Sequence, residues 1–511
     1  NFCLKKTNLL FFTMLDTKQP IIERFERLFY PKAIGIVGAS YNPAGGGYFV
    51  EIMKDRFKKP IYIFNPRLKG QKLYGLEVHG SILEIPEDKP IDYVIIGVPA
   101  KIVPKILNEV GQKKVPYVTI FTSGFSEIGN YNLENEVLDI AKKHNIRIIG
   151  PNCLGIYNPE AGLYIGRAQS KKAGNFGAVL QSGGLAVNVA QLVDAYGVEV
   201  SKMISVGNAI DLTHPDFLEY FLYDNRTAII GLYLENLKTR QNGRQFMKIA
   251  RECNLNRKPV ILWRAGYGEA TKKAIMSHTG GLAGNNKIWE AVAKQTGCLL
   301  VNNSVELAAL ASAFKLIHLP QSRDIGLIGI GGGSTIEAGD TLEKYDLRIP
   351  KLTEKTSDKM SRFLNDVNTN FANPIDLGAQ GALPHIYYRT ILTLDKDPNI
   401  SAIIFVKDPE RFKNLEDSLV GKLGFEKGTD LNKSFIKYIG KAKRICTKPM
   451  ICVMLKISEG FEEYKSRYKF KLRLLNRNVP VFESFDLAGK VLDNMNKYRE
   501  FLQKHGKYPR K

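Results

Sequence analysis

Cysteine is scarce in these 511 residues, and the six present, at 3, 153, 253, 298, 446 and 452, form no CxxC pair and no His/Cys spacing of a zinc site. A disulfide framework and structural zinc are therefore excluded as organising devices, no metal site is expected, and reduced thiols in a cytoplasmic protein are the default. No long apolar run is present either. The stretch Leu9 to Leu15, broken at Thr13, is too short to span a bilayer and lacks a signal-peptide cleavage site. Residues 1–16 read as an N-terminal extension, of which 1–13 are dispensable, with Met14 a candidate start. Acidic residues are in deficit, 51 against 73 basic, which leaves a formal charge of +22 and favours anionic partners such as nucleotides or polyphosphates. The cluster Lys465, Arg467, Lys469, Lys471 and Arg473 alternates with apolar residues, and no DNA- or RNA-binding signature accompanies it, so nucleic acid is not an expected partner.

What is present is an alternation of strand and helix patterns, long enough for three domains. Ala33 to Ser40 reads as a buried strand running into a small-residue turn, and further strands fall at Ile61 to Phe64, Tyr93 to Val98, Tyr117 to Thr122 and Arg147 to Ile149. Such alternation predicts a parallel sheet covered on both faces, with ligand at the strands' C-terminal ends. The dinucleotide fingerprint GxGxxG is not intact, and Asn65 stands where a ribose-binding acid belongs, so an NAD(P) dehydrogenase is the weaker alternative. A second unit begins near Gly174, with strand Gly177 to Leu180, turn Gln181-Ser182-Gly183-Gly184 and a helix ended by Gly197. A third repeats the plan with strand Asp324 to Ile330 and turn Gly331-Gly332-Gly333-Ser334.

The turns at Ser182-Gly183 and Gly332-Gly333 each offer unpaired N–H groups and the positive end of a helix dipole to an anion. Between them in sequence lies Ser277-His278-Thr279-Gly280-Gly281-Leu282-Ala283-Gly284. A histidine entering a glycine-spaced turn suits a phosphate acceptor, with Thr279 and Gly280 supplying amides, although an N-cap turn with a surface histidine is the plainer alternative. A histidine nucleophile needs an orienting acceptor, and Glu235, at a strand end in the same unit, is the best-placed carboxylate.

From about Phe29 onward the sequence resembles the alpha subunit of the ADP-forming acetyl-CoA synthetases, relatives of succinyl-CoA synthetase. Seven segments in order carry this: Gly35 to Ser40, Ile96 to Ala100, Ile149 to Gly155, Gln181 to Ala186, Val206-Gly207-Asn208, Leu232 to Glu235, and Ser277 to Gly284. The resemblance implies an α/β protein with a Rossmann-like CoA-binding domain (17–156), a flavodoxin-like ligase domain with a phosphorylated His278 (170–320), and a second flavodoxin-like domain (321–511). CoA would contact Gly38, Ala39, Ser40, Arg67, Val98, Pro99, Ser123, Gly124 and Asn152. The chain has no room for an ATP-grasp domain, so ADP or ATP and Mg²⁺ would sit on a separate beta subunit, in the family's usual α2β2 assembly. The implied reaction interconverts acyl-CoA, ADP and phosphate with acid, CoA and ATP through acyl phosphate and phosphohistidine; a catalytically idle CoA-binding scaffold is the alternative. Two departures stand out: Asn42-Pro43-Ala44-Gly45 lacks the lysine often found before the glycine, and Asn236 replaces the usual glycine after Glu235. Cys153 reads as a packing residue.

Overall fold

In the computed structural model, residues 20–42, 45–237, 239–266, 286–365, 369–410 and 430–509 are described. Strands that are apolar on both sides of the pleat need cover on both faces, and the first sheet follows that rule. It contains β1 (Ile34–Val37), β2 (Ile61–Phe64), β3 (Lys72–Leu73), β4 (Leu76–His79), β5 (Tyr93–Ile96), β6 (Tyr117–Ile120) and β7 (Arg147–Ile149), in the order β3-β4-β2-β1-β5-β6-β7. Every neighbour pair is parallel except the β3–β4 hairpin, and β1 sits centrally with Val37 between Phe64 and Ile96. Helix α1 (Gly47–Met53) returns from the end of β1, while α2 (Val103–Gln112) and α3 (Tyr131–His144) flank the later strands. Val94, Ile96, Val118, Leu107 and Val137 form part of one buried cluster, so helix stripe and strand face close over each other.

The second sheet contains β8 (Gly155–Tyr157), β9 (Phe176–Leu180), β10 (Val200–Ser205), β11 (Ile229–Leu234), β12 (Val260–Arg264) and β13 (Leu299–Val301), in the order β13-β12-β11-β9-β10-β8. Strand β8 lies antiparallel to β10, with Ile156 opposite Ile204. Residues expected to finish the first domain therefore edge the second sheet. Gly155 lets the chain pass: a Cβ there would stand 2.8 Å from both the Thr119 and Tyr93 hydroxyl oxygens, and its φ is +82°. Helices α4 (Gly183–Ala195), α5 (His214–Tyr223), α6 (Arg240–Leu255) and α7 (Asn286–Thr296) connect these strands.

After α8 (Ser304–Leu316), the third sheet is wholly parallel in its named pairs: β14 (Ile325–Gly329), β15 (Ile375–Asp376), β16 (Ala402–Val406), β17 (Met450–Val453) and β18 (Val481–Phe482), in the order β15-β14-β16-β17-β18. Helix α9 (Gly332–Glu343) follows β14. The chain divides into two compact units, Asn1–Asp194 with Val198–Leu307, and Ala195–Gly197 with Ala308–Lys511. The first two sheets share one unit, and the division falls inside α8, within the span 170–320 that the resemblance implies for the second domain.

Within that first unit the sheets are joined by the helical segment over 20–29. The Phe25 and Phe29 rings lie 5.6 Å and 6.4 Å from Phe217 of α5, and Phe29 lies 4.6 Å from Tyr220. Beneath them Lys202 is fully buried, its Nζ 2.9 Å from Asp224 Oδ2. Burial pulls the lysine pKa down and Asp224 opposes that pull, so removing Asp224 alone would leave a buried charge at a cost of about 3–5 kcal/mol. Among the described residues no helix is long and apolar enough to cross a membrane, and no group of three or more His, Cys, Asp or Glu is placed to hold a metal ion.

Candidate functional site

At the C-terminal end of β1 the backbone itself builds the site. Gly38 has φ +83°, and a Cβ on it would stand 2.3 Å from the Gly97 carbonyl oxygen. A Cβ on Gly97 would stand 2.6 Å from the Gly46 nitrogen, and one on Gly46 would stand 2.7 Å from the Val37 carbonyl oxygen. The loops after β1 and after β5 therefore touch backbone to backbone, which only glycine permits. Above them opens a cleft of about 510 Å³. Of the nine residues that the resemblance assigned to CoA, Gly38, Ser40, Val98, Pro99, Ser123 and Asn152 line this cleft. Size and lining suit a drug-sized or cofactor-sized ligand.

The other three stand apart from the lining. Ala39 is fully buried, its amide donating to the Phe64 carbonyl at 3.3 Å. Arg67 is exposed on the short turn after β2, its amide held by Asn65 Oδ1 at 3.1 Å. Gly124, at φ +114°, donates its N–H to Glu127 Oε1 at 2.5 Å. The lining also includes Asn42, Phe121 and Thr122, which sequence reasoning missed; the Thr122 hydroxyl donates to the Val98 carbonyl at 2.5 Å and so ties two walls together. Asn65 Nδ2 donates to the Ala39 carbonyl at 2.9 Å. An amide committed to backbone thus fills the position where a dehydrogenase needs a ribose-binding carboxylate.

The second sheet gathers its own cluster at its strand ends. Gln181 follows β9: its N–H donates to the Tyr233 carbonyl at 3.1 Å, its carbonyl accepts from Gly207 N–H at 3.0 Å, and its side-chain Oε1 accepts from Glu235 N–H at 3.0 Å. One buried glutamine thereby fixes the ends of β9, β10 and β11 relative to each other. Ser182 Oγ accepts from Leu185 N–H at 3.4 Å and caps α4, while Gly183 opens that helix. Glu235 is half-buried, and burial together with the neighbouring Glu235 carboxylate, to which its hydroxyl donates, raises the Tyr233 phenol pKa far above its ordinary range. His214 is buried and bonded to the Tyr233 carbonyl at 3.0 Å; burial lowers its pKa to about 4, so it is neutral.

Between cleft and cluster runs a buried seam. Asn208 N–H donates to the Pro151 carbonyl at 3.0 Å, and its Nδ2 donates to Glu127 Oε2 at 2.6 Å. Burial opposes the Glu127 charge, but the Gly124, Asn208 and Phe125 donors outweigh it and hold the carboxyl below its usual range. Cys153 is buried with its thiol directed at the Ile120 carbonyl, 3.8 Å away, and burial pushes it up to about 12, which suits packing and not nucleophilic attack.

In the second compact unit, Gly331 at φ +99° precedes α9, and its N–H donates to Asp376 Oδ1 at 2.7 Å. The Gly378 N–H binds the same oxygen at 2.9 Å. Gly332 and Gly333 thus open a helix that already has a carboxylate beside its start, a neighbour the glycine pattern did not reveal. His278, Thr279 and Gly280 lie outside the described residues.

A model of the CoA binding domain matches residues 32–159, and a model of the succinyl-CoA ligase like flavodoxin domain matches residues 173–314. The chain is 36% identical over 381 residues to acetate–CoA ligase (ADP-forming) II subunit alpha of Pyrococcus furiosus, covering 74% of this chain and 81% of the relative. It is 37% identical over 349 residues to acetate–CoA ligase (ADP-forming) of Methanocaldococcus jannaschii, covering 68% of this chain but 48% of that protein, about half its length. Among solved structures, the dinucleotide forming acetyl-coenzyme A synthetase 1 of Ca. Korarchaeum cryptofilum, in complex with phosphate and ADP, superposes with a TM-score of 0.79 at 26% identity, covering 94% of this chain and 98% of that one.

Proposed function

The chain belongs to the family of ADP-forming acetate–CoA ligases, and from that premise we propose that it is the catalytic alpha part of an acid–thiol ligase acting on acyl-CoA. A phosphate oxygen attacks the thioester carbonyl, the C–S bond breaks, and CoA leaves as a thiolate that takes up a proton. The acyl phosphate so formed passes its phosphoryl group to His278, releasing the carboxylate acid. ADP, held with Mg²⁺ on an ATP-grasp beta subunit, then accepts the phosphoryl group from the histidine, and each step reverses. An α2β2 assembly in the cytoplasm goes with this reading.

The observation that carries it is the backbone-lined cleft of about 510 Å³, joined by buried hydrogen bonds to the Gln181, Ser182 and Glu235 cluster. Loops lined by glycine let the backbone approach a pyrophosphate closely, and Gly38 and Ser40 line that surface, the Gly38 N–H itself being held by the Phe64 carbonyl at 2.9 Å. Val98, Pro99, Ser123 and Asn152 line the remaining length for the pantetheine arm and thioester. Ala39, Arg67 and Gly124 act at one remove: Ala39 and Gly124 shape the floor, and the exposed guanidinium attracts the anionic end. Ser182, Gly183, Thr279 and Gly280 offer amides to the phosphoryl group, and Gly332 and Gly333 open a candidate phosphate turn of the third domain's own. Glu235 orients the imidazole and supports its positive charge once phosphorylated.

The test incubates the full chain with acetyl-CoA and radioactive phosphate, and with ATP plus any co-purifying subunit, and looks for acid-labile phosphate. His278→Ala should keep CoA binding and lose the label. Retained CoA binding with no label on the wild-type chain would instead make it a CoA-binding scaffold.

A further inference from the structure

The segment Val206-Gly207-Asn208 has no part in the reaction as set out above, yet its surroundings are unusually constrained. A Cβ on Gly207 would stand 2.2 Å from the Pro151 carbonyl oxygen and 2.4 Å from that of Asn152. The second sheet thus presses directly on the loop whose Asn152 lines the cleft. The next residue, Asn208, is 4% exposed and holds both cleft walls. Its backbone N–H takes the Pro151 carbonyl at 3.0 Å, and its side-chain amide takes Glu127 Oε2 at 2.6 Å and Ser126 Oγ at 3.3 Å. The other Glu127 oxygen accepts from the Gly124 N–H, next to the lining residue Ser123. On its far side, Gly207 N–H reaches the Gln181 carbonyl, and Gln181 holds Glu235.

We infer that Asn208 and Glu127 are a pair of positioning residues that set the thioester end of the CoA cleft at its working distance from the Ser182 and Glu235 cluster. The inference rests on the proposed acyl-CoA reaction and adds to it. The pair touches neither substrate: Asn208 acts through Pro151 and Glu127, and Glu127 acts through Gly124. A carboxylate suits the second position because it accepts from the Gly124 and Phe125 amides on one side and from Asn208 on the other, so every nearby donor finds an acceptor. Transfer between two anchored groups tolerates little displacement. A misplacement of about 1 Å can cost roughly 100-fold in rate without removing a single contact to the ligand.

The test reverses the polarity of the bond. Asn208→Asp replaces the amide donor with a carboxyl group, and two carboxyl groups this close keep a bond only while they share a proton, so the assay is run at about pH 9, where loss of that proton sets acceptor against acceptor. Phosphoenzyme formation by the full chain, with its partner subunit where one co-purifies, should fall by roughly 100-fold. The CoA dissociation constant, measured by calorimetry, should stay within about threefold because the glycine turn is untouched. Adding Glu127→Gln supplies an amide donor to the new carboxylate while leaving an oxygen for Gly124. The double variant should return to within about fivefold of the wild-type rate, a coupling that independent sites do not show. A double variant no faster than Asn208→Asp overturns the inference, as does a wild-type rate in Asn208→Asp. If Asn208→Asp does not fold, Asn208→Ala replaces it, and a wild-type rate there has the same force. A wild-type chain that takes no label, by contrast, overturns the proposed function and this inference with it.

Discussion

Gln181 and Glu235 are joined by a hydrogen bond in which the buried glutamine side chain accepts the glutamate's own backbone N–H at 3.0 Å. The glutamine therefore fixes where the carboxylate starts without engaging the carboxylate itself. Gln181→Ala should leave that N–H without its partner and destabilise the chain by about 1–3 kcal/mol. Phosphoenzyme yield should drop while CoA affinity holds. Chemical denaturation, calorimetry with CoA and phosphate labelling check the three parts.

Gly97 has no room for a side chain. An added Cβ would stand 2.6 Å from the Gly46 nitrogen and 3.1 Å from the Gly45 carbonyl carbon. Gly97→Ala should open the loop contact under the cleft at a cost of about 1–3 kcal/mol. A loss of CoA affinity of roughly tenfold or more should accompany it, read by calorimetry, while labelling from ATP through the partner subunit should persist.

His214 gives a pH dependence with a definite sign. Its folded pKa is lowered from 6.5 to about 4 by burial, so between those values the unfolded chain binds a proton that the native chain does not. The contribution is fully present above pH 6.5 and is lost as the pH falls from 6.5 toward about 4, at up to about 1.4 kcal/mol per pH unit. His214→Gln retains a donor for the Tyr233 carbonyl but has no proton to gain. Urea unfolding from pH 7 to 4 should give a shallower slope for that variant than for the wild type.

Cys153 should be inert. With its thiol pushed up to about 12 and no solvent access, iodoacetamide at neutral pH should leave it unmodified until the chain unfolds. Peptide mass mapping before and after denaturation decides this. Cys153→Ala should still form phosphoenzyme, since the proposed chemistry uses no thiolate.

The three sheets and their glycine turns were legible because long βα alternation leaves a strong periodic signal, and because small residues at a strand's end have few other reasons to cluster. Six of the nine residues that the resemblance assigned to CoA line one cavity. Strand β8 was not legible: Gly155-Ile156-Tyr157 is too short to show a period, and its partner β10 is far along the chain. Glu127 and Asn208 were missed as a pair because the bond joining them spans 81 positions. Nothing within either segment marks it. The place of Asp376 beside Gly331 was not legible either, because it depends on how β15 pairs with β14.

The opening helical segment over 20–29 belongs to the first sheet by sequence order, yet Phe25 and Phe29 pack against α5, Asn158 Nδ2 holds the Phe29 carbonyl, and Tyr30 bonds Glu160. A cut in the connection between β8 and β9 should therefore yield a nicked protein whose halves travel together on a sizing column. For anyone building chimeras from relatives, the exchangeable piece is the pair of sheets, since transplanting the first alone would strand two phenylalanines in water.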